Sequence, residues 1–230
     1  MEQLPIRYIL EIIHDAHEWQ NKGLLHELEK GKGGKKNYFR PLKLFVLVVA
    51  LVMTVIFNEG IDKEFAGYII AALSIFIGLN INLIIMVFDK FNTTNFNVTN
   101  KPYIERVRLL KRRNFFMQYT SLTAYSIILS IILILFLSLC FSAYYSISIS
   151  ITDCFQYYMD LVILDIPLVW SWEAFKSVLY LVSVLFFRCL TYYLLLYYLL
   201  ILSYSIGSIY AYISQEFKNK KIEVYPGQNF

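Results

Sequence analysis

The sequence predicts an all-α integral membrane protein: a bundle of four transmembrane helices with both chain ends on the cytoplasmic side, preceded by a short amphipathic helix. Three observations predict it. Hydrophobic residues make up 58% of the 230 residues and charged ones 17%, whereas about a quarter of a soluble domain is charged. Four apolar runs are long enough to cross a hydrocarbon layer. The lysines and arginines collect in alternate connections between those runs, as an even number of crossings requires.

Residues 1–41 form a cytoplasmic segment. The opening MEQLPIRYILEIIHDAHEW lacks the basic start and unbroken apolar core of a signal peptide, so the first span is expected to direct insertion. Leu4, Tyr8, Ile12, Trp19 and Leu25 mark an apolar side, with Arg7, Glu11, Asp15, Glu18 and Glu29 between them, which reads as an amphipathic helix. From Gly31 to Arg40, GKGGKKNYFR carries four basic side chains and no acid, the composition of a flexible linker at a membrane surface.

The first span, residues 42–57, is LKLFVLVVALVMTVIF, near the lower length limit for crossing, with Lys43 snorkelling toward the basic side. After NEGIDKE the second span, 65–88, runs until Asp89 and Lys90 end it, and the two spans are expected to form a tight hairpin. The loop 89–114 is Asn-rich at first and becomes a basic helix after Pro102. Its NTT and NVT fit the glycosylation pattern, but the topology puts both in the cytoplasm, where that modification is not expected.

The third span occupies 118–145, centred on IILSIILILFLSL, and the fourth takes part of 178–213. An unbroken helix over that last stretch would be roughly 54 Å long, so it tilts, continues beyond the membrane, or breaks near Ser203 to Gly207. The outer segment 146–177 contains an apolar stretch interrupted by Asp160, Asp165 and Pro167 and reads as interfacial or re-entrant, a fifth span being the alternative. Residues 214–230 are the cytoplasmic tail.

Charge supplies an independent check. The chain through Lys43 holds eight Lys and Arg residues and the stretch Lys90 to Arg113 seven, while 58–64 and 146–177 hold one each. The tail EFKNKKIEV brings basic residues back to the starting side.

Inside lipid, helices associate through small residues and polar contacts. The second span offers Gly67, Ala71, Ser74 and Gly78 along one face. Asn80 and Asn82 lie about 200° apart, Asn82 nearer that face, and at least one is expected to hydrogen-bond a neighbouring helix because a buried unpaired amide is costly. Ser126, Ser130, Ser138 and Ser142 in the third span, and Ser203, Gly207 and Ala211 in the fourth, can also support packing or line a crevice. Arg188 stands within VSVLFFRCLTYYLLLYYLL, where an isolated Arg at mid-span costs about 3 kcal/mol or more. It needs a partner or must snorkel; Asp160 and Asp165 are candidate partners, and a role in an ion path is the functional alternative.

Catalytic chemistry finds little support. Cys140, Cys154 and Cys189 include no CxxC pair, and no Walker A loop, dinucleotide fingerprint or nucleophile elbow occurs, so neither enzyme activity nor a cofactor is expected. His14 and His17 are spaced i, i+3 but lack further ligands, so no metal is expected. The pair Arg7 and His14 in RYILEIIH fits a loose spacing found in small helical ribonucleases, without the polar residue usual after the Arg.

Across residues 65–140, SIFIGLNINLIIMVFDKF followed by VRLLKRRNFF and a third span that starts polar resembles small four-span bacterial inner-membrane proteins encoded with phage-defence systems. The resemblance implies an accessory or effector that disturbs the membrane when a cytoplasmic sensor is triggered. The resulting expectation is a non-enzymatic, homo-oligomeric membrane effector in contact with the lipid bilayer and a cytoplasmic protein partner. The basic segments leave room for nucleic-acid contact, and the alternatives are a small transporter or channel and a membrane anchor.

Overall fold

The computed structural model describes residues 5–21, 39–97, 99, 101–142, 150, 152–153, 156 and 172–219, which form five helices and no strand. Helix α1 spans Pro5–Trp19, with proline at the first position, where its missing N–H is not needed. An exposed Arg7–Glu11 ion pair at 3.3 Å, one turn apart, adds a few tenths of a kcal/mol at most.

The four apolar runs are helices α2 (Phe39–Ile56), α3 (Lys63–Thr93), α4 (Tyr103–Ser142) and α5 (Trp172–Asn219). All four are long and apolar enough to cross a bilayer, so the chain is compatible with a multi-pass membrane protein. Helix α2, with 18 residues, is roughly 27 Å long, close to the hydrocarbon thickness. A short turn then reverses the chain. The Gly60 N–H donates to the Phe57 carbonyl at 3.1 Å, and Gly60 takes φ 75°, which a residue with a Cβ adopts only at a cost. Asp62 starts α3 by accepting from the Phe65 N–H at 2.6 Å.

The turn is as tight as the sequence predicts, but the hairpin is not a packed pair. Helix α2 packs on α5, α5 on α4, and α4 on α3, giving the order α2–α5–α4–α3, with α1 laid against α4. The two hairpin helices diverge because each finds a larger apolar partner elsewhere. Leu122, Leu129, Leu133 and Leu137 of α4 are buried together with Ile69 and Leu73 of α3 and Tyr197, Tyr198 and Ile201 of α5.

The fourth run is unbroken. Helix α5 continues through Ser203 and Gly207 for 48 residues, roughly 72 Å, so of the three alternatives the break is excluded. The basic helix expected after Pro102 is the beginning of α4 itself, whose 40 residues extend for roughly 60 Å. Where the two helices meet, Phe115 stacks on Tyr212 with centroids 4.1 Å apart and planes 5° apart, and the Arg112 Nε donates to the Tyr212 hydroxyl at 2.6 Å. Phe91, Phe96, Phe116 and Tyr119 complete an aromatic band at this basic end. The opposite end, carrying Gly60, is the turn end.

Candidate functional site

Arg188 is completely buried, and its guanidinium is aimed at the turn end of α2. Nη1 donates to the Asn58 carbonyl at 3.0 Å and to the Phe57 carbonyl at 3.3 Å. These carbonyls follow the last turn of α2, where backbone acceptors lack helical partners and the helix dipole presents its negative end. A cation there is stabilised by the same attraction that favours Lys and Arg near helix C-termini. Asp160 and Asp165, the partners suggested by sequence, lie outside the described residues.

Asn58 is the residue that sequence reading missed. Its side-chain Nδ2 donates to the Thr152 hydroxyl at 3.0 Å and the Ser150 hydroxyl at 3.1 Å, and its Oδ1 accepts from the Thr152 N–H at 3.1 Å. One residue thus holds a contact across 94 positions of sequence on one side while offering its carbonyl to Arg188 on the other. An Asn just before a glycine turn reads locally as a turn former, and only folding brings its partners near.

The two asparagines of α3 part company. Asn80 is buried, and its Nδ2 donates to the Ser126 hydroxyl at 3.2 Å, joining α3 to α4. Asn82 is exposed, and among the described residues its side chain meets no hydrogen-bond partner. Gly67, Ala71, Ser74 and Gly78 are exposed as well, on a face about 140° around the helix from buried Ala66, Ile69, Leu73 and Asn80. A methyl group built on Gly67 or Gly78 would meet nothing within 4 Å. The small residues therefore do not bring this chain's own helices together, because the apolar side at Ile69 and Leu73 buries more surface. Ser203, Gly207 and Ala211 of α5 are exposed too, with open space at Gly207.

Three hydroxyls inside the core are turned onto their own helices. Ser126 donates to the Thr123 carbonyl and Ser130 to the Ser126 carbonyl, both at 2.8 Å, while Thr191 donates to the Phe187 carbonyl at 2.8 Å. Bonded in this way beside the buried leucines, these three spend their protons on their own backbone.

At the basic half, α1 is held by its last two turns. Ala16 and Trp19 are buried, Gln118 Nε2 donates to the Trp19 carbonyl at 3.3 Å and the Tyr204 hydroxyl at 3.1 Å, and Gln20 Nε2 donates to the Tyr197 hydroxyl at 3.4 Å. Lys43, expected to snorkel, stands over the Tyr197 ring with Nζ 5.4 Å from its centroid. His17 sits edge-on to Tyr125 at 5.5 Å, and His14 and Arg7 are exposed.

Burial, then the charge of Lys43, then His14 hold the His17 imidazole below its ordinary value of 6.5. Detached α1 therefore takes up a proton at a higher pH than docked α1. Docking is most favoured above about pH 7 and weakens as pH falls from 6.5 toward the lowered value. Amide exchange in 8–19 is expected to quicken between pH 7.5 and 5.5 after correction for intrinsic rates, and His17→Phe is expected to abolish the pH dependence. The account fails if that variant leaves it intact.

No protein-family model, curated protein or solved structure matches the chain.

Proposed function

We propose that the protein is a non-enzymatic membrane effector or accessory protein of bacterial antiviral defence, which sits in the inner membrane with both ends in the cytoplasm. It permeabilises or depolarises that membrane as a homo-oligomer. The observation that carries the reading is the outward face of α3, where Gly67, Ala71, Ser74, Gly78 and Asn82 project away from the chain's own core. Leucines close the core among the described residues, which favours an ion path between copies over one within a single copy. The defence setting comes from the resemblance.

The basic start of α4, with Arg106, Arg108 and Arg113 exposed, supplies the surface for a cytoplasmic partner. The same surface favours a second reading, a membrane anchor that regulates that partner without conducting ions.

Reconstitution separates the two. Vesicles loaded with an ion-sensitive dye are expected to leak with a steeper than linear dependence on protein density, and cells expressing the chain to depolarise. Vesicles that stay tight at densities where the chain is oligomeric would leave only the anchor.

A further inference from the structure

The divergence of α2 and α3 leaves a cleft of about 580 Å³ between them at the turn end, a size typical of small-molecule sites. Its walls are apolar: Met53 from α2, Phe57 from the turn that follows it, Phe65 from α3 and Tyr192 from α5. Phe57 and Phe65 remain 49% and 51% exposed, so the walls are left unfilled by packing among the described residues. The rim is acidic, formed by Glu59 and Asp62. Asp62 uses one oxygen to cap α3, and Glu59 is exposed with no ion-pair partner among the described residues.

The nearest buried cation does not offset this rim. Arg188 lies beside Tyr192, but it is completely buried and Nη1 is spent on the Phe57 and Asn58 carbonyls. An anionic head at the rim would meet two carboxylates and no available guanidinium. A protonated amine would meet the carboxylates and the aromatic walls at Phe57 and Phe65, a combination that favours ammonium groups. The apolar continuation of the cleft between two helices suits a hydrocarbon chain better than water.

We propose that this cleft binds an amphiphile with a positively charged amine head, the ammonium at Glu59 and Asp62 and the chain running between α2 and α3. Two sources share that chemistry, an amine-bearing lipid such as phosphatidylethanolamine and a free long-chain amine. The inference uses the cleft alone and draws on the bilayer reading only for the lipid source, so it stands or falls apart from vesicle leakage.

The test is native mass spectrometry of the delipidated full chain in neutral detergent. Phosphatidylethanolamine, phosphatidylglycerol of the same acyl chains, dodecylamine and dodecanol are offered separately. The amine-bearing member of a pair is expected to be retained about fivefold or more over its counterpart. Glu59→Gln is expected to remove most of that preference, and Met53→Trp, which fills the cleft, to remove the bound species, each variant keeping the wild-type circular dichroism melt. Preference for both amines assigns a lipid site; preference for dodecylamine alone assigns a free amine. Equal retention across both pairs, or a preference unchanged in either variant, overturns the proposal.

Discussion

Replacing Arg188 with leucine should open the turn between α2 and α3 while leaving the α3–α4 contact intact. The carbonyl of Asn58 loses its charged donor in a closed environment, whereas Phe57 keeps the Gly60 N–H as a second donor. A buried carbonyl left without a donor is destabilised by about 1–3 kcal/mol. Removing the guanidinium also removes its own desolvation penalty, so global stability changes less than this figure. The effect is concentrated at the turn. Amide exchange at 58–62 should accelerate by about 10- to 100-fold, with little change near Asn80 and Ser126. Arg188→Lys, which keeps a charge and fewer directed donors, should fall between. Wild-type exchange at the turn in the leucine variant would show that the guanidinium does not hold it.

The second large effect belongs to the outward face of α3. Copies inserted with the same orientation present Gly67, Ala71, Ser74, Gly78 and Asn82 at matching depths, so a parallel pair brings like residues face to face. Asn82 lies seven residues before Asp89, roughly 10 Å along the helix from the charged end, where in a bilayer-spanning copy lipid would offer its amide nothing. Across a pair, each Asn82 can donate to and accept from its mate. Asn82→Leu should weaken association about 10-fold, the measure of 1–2 kcal/mol for an interhelical polar contact. Gly78→Leu should abolish it by holding the backbones apart, while the isolated chain, having open space there, keeps its fold. Energy transfer between labelled copies in vesicles reads both. If neither substitution moves it, α3 is not the contact; if Gly207→Leu does, the equivalent face of α5 is.

Gly78→Ala is a finer probe of the same point. Alanine is favoured over glycine in a helix interior by about 1 kcal/mol on scales measured in water, and its methyl meets no neighbour here. A more stable single chain with weaker self-association is the expected combination.

Much of the helical map was legible in residue order. Apolar runs interrupted by Asn58 to Asp62, by Asp89 to Pro102 and by the segment before Trp172 mark where helices end, because an unpaired backbone is intolerable in lipid and charged side chains resist entry. The requirement that Arg188 find a partner was legible for the same reason. Its partners among the described residues were not: a carbonyl has no residue identity in sequence, so the end of α2 could not be nominated as one.

Which faces meet was left to tertiary structure. Four-residue spacing states that Gly67, Ala71, Ser74 and Gly78 share a side of α3, but not whether that side faces inward. The inward side was decided by Ile69, Leu73 and Asn80 fitting against α4, which turned the glycines out and placed Asn82 among them. Likewise Asn58 acquired its role only when Ser150 and Thr152 came alongside. Helix length and position follow from local solvation of each segment, which sequence records residue by residue; pairing of faces depends on competition among surfaces distant in the chain, which only the folded arrangement resolves.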